Sequence, residues 1–247
     1  MIRHVFLALL LCGSPQLRGQ QASNLQTAKL YTYGDLLRRH HVALTEQSLI
    51  AALKSSDADV RYLAAMKLAE DKSSGAVPAI RQALEVERVP RDQVNIALAL
   101  GLLGDEAGSV KLRQVCSDNE FIPEFRLYAV RYSQDLHSQD ESACLAATQE
   151  IMNTQSAKVS DRVTALSLLP RFASLGPGDL KVIEAISTRS LKDSDPTVRM
   201  AAAKTLSDLG LRSSARALSD AVVSEKDENV RAVLKSDLDR LEKNPSR

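Results

Sequence analysis

Apolar positions recur along this chain with two nested periods. Within short stretches they fall at steps of three and four, which places them on one face of an α-helix. Over longer distances the same stripe returns with a shared register, D-x-x-V-R. It stands at Asp57…Val60-Arg61, Asp195…Val198-Arg199 and Asp227…Val230-Arg231. Aligning on its Arg gives the equivalents Arg61, Gln93, Arg126, Arg162, Arg199 and Arg231, at spacings of 32, 33, 36, 37 and 32 residues. Three residues after each stand Ala64, Ile96, Ala129, Ala165, Ala202 and Leu234. Seven after come Leu68, Leu100, Ser133, Leu169, Leu206 and Leu238, and ten after come Asp71, Leu103, Leu136, Phe172, Leu209 and Leu241. So many copies of one stripe predict an internal repeat, and an internal repeat decides the architecture before any single residue does.

The start and stop signals agree with that register. Asp195 can cap a helix, and Pro196 then occupies the first helical position, where its missing N–H costs nothing. Pro90 and Pro123 share that place, and Gly104 and Gly210 stand where a left-handed residue ends a helix. A second apolar segment follows each first helix: 76–84, 110–115, 144–152, 180–191 and 215–223. Each unit is therefore helix, turn, helix, of about 34 residues. Neither helix can bury its stripe alone, whereas stacked neighbours bury it for one another.

With these positions the chain resembles the HEAT repeats, in the HEAT-like subgroup named after phycobilisome lyases, over about Thr45 to Leu241. The resemblance implies an all-α, armadillo-type, right-handed α-solenoid of about five helix-turn-helix repeats plus capping helices, with the second helices on the concave side. It also implies that the motif residues are structural. Asp57, Asp195 and Asp227 would form ladders with Arg61, Arg199 and Arg231 between neighbouring repeats. The middle repeats depart: Gln93 replaces Arg, Val89 and Ile122 replace Asp, and Asp161 replaces Val.

The ends differ from the middle. Arg3 and His4 precede the apolar run Val5–Leu11, and small and polar residues follow. That order reads as a signal peptide over 1–19, cleaved near Gly19, and hence as an exported protein, periplasmic or secreted in a bacterium. The run is far shorter than the ~20 residues of a membrane-spanning helix. A second reading is a lipid anchor at Cys12, although Leu11 stands where a lipobox has a small residue. Residues 20–28 read as a flexible lead-in and 29–55 as divergent N-terminal capping helices. The repeats and a C-terminal capping helix then occupy 56–242, with 243–247 as a disordered tail.

Composition narrows function mainly by exclusion. Of 247 residues 44% are hydrophobic but only 4% aromatic, and there is no Trp, which suits close-packed helices. Lys plus Arg number 32 against 31 for Asp plus Glu, so no global charge points to nucleic acid. Beyond Cys12 the chain has Cys116 and Cys144, and export invites a disulfide between them. The repeat register argues against the bond. Cys116 would end one second helix and Cys144 begin the next, an offset of about 12 Å along parallel axes. Both then read as buried, inert thiols.

Chemistry is sparse. His40 and His41 are adjacent, and neighbours on a helix point about 100° apart, too far to share a metal. The chain holds no H-E-x-x-H, no C-x-x-C and no G-x-S-x-G. Gly176-Pro-Gly178 fits a turn better than a phosphate loop. Tyr128 and Tyr132, one turn apart, read as core packing in preference to a ligand patch. No catalytic residue, cofactor-binding residue or metal ligand is therefore assigned. The reading is a non-catalytic scaffold that binds a protein or extended peptide, with no nucleic acid and no membrane span. Polar positions of the second helices are its candidate contacts: Arg81, Lys111, Arg113, Gln149, Lys181 and Glu184. The alternatives are an accessory subunit of a lyase-like enzyme and a structural spacer.

Overall fold

The computed structural model describes residues 31–137, 142–154, 156–174 and 176–243. The segments read as signal peptide and lead-in, with Cys12, and the tail residues 244–247 lie outside the described residues. Two short helices come first, α1 (Tyr33–Arg39) and α2 (Glu46–Ala52). Their N-caps are Thr32, which closes a capping box with Asp35, and Thr45, which accepts from the Ser48 N–H.

Five helix pairs and a closing helix follow. The first helices are α3 (Ala58–Glu70), α5 (Pro90–Leu102), α7 (Pro123–Asp135), α9 (Val159–Leu168) and α11 (Pro196–Asp208). Their partners are α4 (Val77–Val86), α6 (Glu106–Ser117), α8 (Ser142–Asn153), α10 (Pro177–Ser190) and α12 (Ala215–Ser224), and α13 (Glu228–Lys243) closes the array. Lys243, placed in the tail by sequence, is the last residue of α13. Among the described residues there are helices and turns but no strand.

First helices stack on first helices, α3 on α5 through to α11 on α13, and each second helix packs on the first helix of the next unit. The repeat positions account for this. Ala64, Ile96, Ala129, Ala165, Ala202 and Leu234 are all fully buried, as are Leu68, Leu100, Ser133, Leu169 and Leu206. Small side chains at the first set let neighbouring helices approach, and the leucines fill the space between them. Truncating any one such leucine to alanine costs about 2–5 kcal/mol. Helix backbones meet closely at Gly108, where an added Cβ would lie 2.3 Å from the carbonyl oxygen of Ala97. Gly104 and Gly210 take positive φ (81° and 63°) just past α5 and α11 and let the chain turn into the next element.

Two sequence readings are corrected. The first concerns Cys116 and Cys144, which form a disulfide with 5.0 Å between Cα atoms. The offset argument assumed that successive second helices lie in axial register. Instead the first turn of α8 meets the last turn of α6, the second helices that pack directly on one another. Both half-cystines are fully buried.

The second concerns the ladder. The motif Asp residues act as caps: Asp57 accepts from the Asp59 N–H, Asp195 from Thr197, and Asp227 from Asn229 and Val230. The motif Arg finds a different acid. Arg61 Nε and Nη2 grip Glu87 at 2.7 and 2.9 Å, and Arg199 Nε reaches Glu225 at 2.7 Å. Glu87 and Glu225 are the C-cap residues of α4 and α12, so the pair closes one repeat upon itself. The carbonyl of the same Glu receives the next repeat: Gln93 Nε2 donates to the Glu87 carbonyl at 2.9 Å, and Arg231 Nε to that of Glu225 at 2.9 Å. The link between repeats thus runs through a Glu, with its carboxylate on one side and its backbone on the other.

Candidate protein-interaction surface

Two open furrows lie along second helices. Around α4 the helices α2, α4 and α6 pack mainly on first helices and leave furrows between them. The furrow between α2 and α4 has a volume of about 490 Å³. Ile50, Leu53, Ala79, Ala83 and Val86 form its apolar wall, and Val86 is 65% exposed. Lys54 and Arg88 stand among its polar lining. Between α4 and α6 a second furrow of about 320 Å³ contains Leu84, Ala107, Val110 and Lys111. Glu87 and Arg88 line both, so the two furrows share α4 as a common wall.

The electrostatics of this wall are uneven. Burial alone would raise the Glu87 carboxyl, but the Arg61 hydrogen bonds and the N–H groups of Val89 and Arg88 outweigh it and hold the group below the usual range. Glu87 is therefore an anion already satisfied. Arg88 donates through Nη1 to the carbonyls of Glu85 and Glu87, both at 3.1 Å. Burial pulls the Lys111 ammonium below its ordinary pKa; Asp118 opposes the shift, and repulsion from Arg88 adds a smaller push in the same direction as burial. Among the described residues, neither Lys54, Arg88 nor Lys111 forms a salt bridge.

The six candidate contacts do not converge. Lys111 alone lines a furrow. Arg81 crosses to Asp105 at 2.7 Å, and that hydrogen bond holds the Asp105 carboxyl below its usual range. Glu184 accepts from Ser214 Oγ at 2.6 Å and from Ser213, tying α10 to the turn before α12. Arg113 and Gln149 are half-buried on α6 and α8, and Lys181 is exposed on α10, away from both furrows. Sequence reasoning missed Lys54, Val86, Arg88 and the clasping Glu residues. A signal for the last existed: Arg61–Glu87 and Arg199–Glu225 share one separation of 26 residues.

Other candidates resolve into packing. His40 Nδ1 lies 3.2 Å from Asp57, joining α1 to the cap of α3, and no group of three or more His, Cys, Asp or Glu among the described residues could hold a metal. Tyr132 is in the core as expected, but Tyr128 is exposed: it stacks on Tyr132 at 6.5 Å between ring centroids and donates its hydroxyl to Glu124. Gly176 is the N-cap of α10 with Pro177 at its first position, a helix-to-helix turn. No helix among the described residues is long and apolar enough to cross a membrane.

The stacked helix pairs, and a match to the model for HEAT repeats over residues 46–131 and 145–237, decide the family. The chain belongs to the HEAT-repeat family. No curated protein matches it. Among solved structures this HEAT-repeat protein is similar to the complex of CpcE and CpcF of phycocyanin lyase from Nostoc sp. PCC7120. Identity there is 25% and the TM-score 0.48, with 79% of this chain and 76% of that chain covered.

Proposed function

We propose that this HEAT-repeat protein is an exported, non-catalytic scaffold that binds another protein or an extended peptide along its second helices. The observation that carries the reading is the pair of open furrows flanking α4, which combine apolar walls with cations that form no salt bridge among the described residues. A solenoid offers such a surface because its stripe-to-stripe packing uses only one side of each second helix. Export is supported by the buried Cys116–Cys144 bond, since disulfides persist in oxidising compartments and are rare in reducing ones. The same bond consumes both described cysteines, leaving no thiolate there for nucleophilic chemistry.

The test is affinity capture of the mature protein from its own envelope extract, against a control with its exposed side chains scrambled. Enrichment of a partner by the native surface alone is expected. Equal recovery on both surfaces would reduce the chain to a spacer. Export is read in the same preparation: the recovered chain should lack its first ~19 residues and carry no alkylatable thiol before reduction. Recovery of full-length, thiol-reactive protein from the cytosol would overturn it.

A further inference from the structure

The furrows on either side of α4 have a chemistry more specific than a generic docking face. Their apolar seat is on one side, where Val86 stands between α2 and α4. Their cations converge toward the other, with Arg88 shared by both furrows and Lys111 within the second. Two carbonyls fix the Arg88 guanidinium through Nη1, so its Nε–Nη2 edge makes no hydrogen bond among the described residues. That edge is the one a carboxylate takes in two parallel hydrogen bonds. Of the two carboxylates nearby, Glu87 is held by Arg61, and Glu85, which also lines the second furrow, makes no salt bridge with Arg88 among the described residues, so Arg88 and Lys111 leave that furrow with a net positive charge. Lys111, partly desolvated beside Arg88, is a second cation for which an incoming anion would relieve an existing penalty.

We propose that these two furrows, across their shared wall at the end of α4, receive an extended acidic segment of a partner protein, its aliphatic side chain seated beside Val86 and its Asp or Glu carboxylate held by Arg88 and Lys111. The proposal rests on the scaffold reading above and names the partner's chemistry. Val86 and Lys111 stand on opposite sides of the end of α4, a helix about 10 Å across with its side chains, and an extended chain rises about 3.3 Å per residue. The aliphatic and acidic residues should therefore stand about three positions apart. Lys54, at the far side of the first furrow, would meet a second acidic residue on the other flank of the aliphatic one.

The test uses the mature protein and short, dye-labelled Gly/Ser peptides carrying one leucine and one glutamate at that separation. Companion peptides replace the glutamate by lysine or the leucine by serine, and binding is read by fluorescence anisotropy. The acidic peptide should bind, weaken as salt rises, and exceed the lysine version by about tenfold or more, the worth of one charge-assisted pair. Arg88→Gln and Lys111→Gln should each cost a similar factor, Val86→Lys should abolish the leucine preference, and Lys235→Gln on α13 should change nothing. Equal affinity for acidic and basic peptides, or binding indifferent to Arg88→Gln, would overturn the proposal. Capture from envelope extract separates the two levels when no peptide binds. A partner held equally by wild type and by the Arg88→Gln, Lys111→Gln double variant sinks the furrow assignment and leaves the scaffold. A partner lost from the double variant, released from the wild type by the acidic peptide in excess, supports the assignment. Failure to capture any partner brings down the scaffold reading itself.

Discussion

The repeats at the two ends and those in the middle solve the same joint differently. At α3 and α11 the joint has every motif part: an Asp cap, a buried Val60 or Val198, and an Arg that clasps the C-cap Glu of its own repeat. At α5, α7 and α9 the cap positions hold Val89, Ile122 and Lys158, and none makes a side-chain cap bond. The buried Val gives way to Asp92 and Asp161. Arg126 is almost fully buried, yet its acid, Glu150, is exposed and lies inside α8 instead of at its end. The α9 repeat keeps an ionic clasp, Arg162 to Asp193 at 3.0 Å just past α10, whereas at α5 and α7 what survives is the backbone half of the link. Arg126 Nε donates to the Cys116 carbonyl at 2.9 Å, as Gln93 and Arg231 donate to the carbonyls of Glu87 and Glu225. The half-cystine thus takes the place of the clasping Glu. A covalent bond holds the joint where the ionic one has eroded.

That substitution makes the disulfide the largest single contribution to test. The bridge closes a loop of 28 residues' separation, for which chain-entropy reasoning gives about 3–4 kcal/mol. The Cys116→Ser, Cys144→Ser variant should lose about that much in urea unfolding. It should also lose amide protection first in α6, α7 and α8, while α11 and α13 keep theirs. Uniform loss along the array would mean that the repeats unfold as one unit and that the middle is no weaker than the ends.

Next comes the ionic clasp. Arg61→Ala leaves Glu87, whose side chain is nearly inaccessible, with only its backbone N–H donors, at a cost of about 2–3 kcal/mol. Gln93→Ala removes one neutral hydrogen bond to the same residue's backbone and should cost about 1 kcal/mol. The pH response carries a sign. Hydrogen bonds from Arg199 and from backbone N–H groups lower the Glu225 carboxyl, and Arg61 does the same at Glu87. A lowered folded pKa stabilises above the unfolded value and stops doing so as pH falls through the folded one. Acid should therefore loosen the end joints below the ordinary Glu range, and Glu225→Gln should remove that part of the acid sensitivity. An unchanged acid limb in Glu225→Gln would show that the clasp contributes little.

How far the sequence revealed all this depends on what kind of position is asked about. Stripe positions such as Leu68 and Ala202 recur because every repeat faces the same neighbour, so period alone places them in the core. Asp57 and Asp195 as caps follow from local chemistry, since a cap needs only its own helix. Glu87 and Glu225 lie in no stripe, and their role depends on where a second helix ends relative to the Arg. Cys116 and Cys144 failed for a related reason: axial register between second helices is tertiary, and no residue in the motif encodes it. The furrow at Val86, Arg88 and Lys111 was invisible because helical period says which side chains face outward, not where neighbouring helices part. Arg81 and Glu184 face outward by the same period and are consumed by Asp105 and by Ser213 with Ser214.

A smaller change would make a middle joint more like an end joint. Ile122 is the N-cap residue of α7, 51% exposed, with extended backbone and no cap bond. Ile122→Asp supplies the acceptor that Asp57 and Asp195 supply elsewhere and places a negative charge at the helix N-terminus. A gain of about 0.5–1 kcal/mol is expected, read as a shift in urea midpoint at constant slope. A loss would show that Ile122 packs better than a cap serves, and that the middle joint is optimised for burial.

An effect of similar size tests the other erosion, a carboxylate where the end joints bury Val60 and Val198. Asp92 is fully buried; its Oδ1 accepts from Arg91 Nε at 2.7 Å, and its Oδ2 has no partner. Burial raises its pKa from 3.8, with Arg91 pulling the other way. For an acid the sign then reverses relative to Glu87 and Glu225. The folded state holds the proton to higher pH than the unfolded one, so Asp92 weakens the fold as pH rises through that window. Asp92→Asn keeps an acceptor for Arg91 and removes the charge. Its stability should match wild type near the ordinary Asp range and exceed it by about 1 kcal/mol at neutral pH, since relief of a buried charge is offset by the lost ion pair. A constant difference at all pH values would mean that Asp92 does not titrate in this window. A difference of opposite sign would mean that the Arg91 pair outweighs burial, and that the middle of the array is bound by its charges as firmly as the ends.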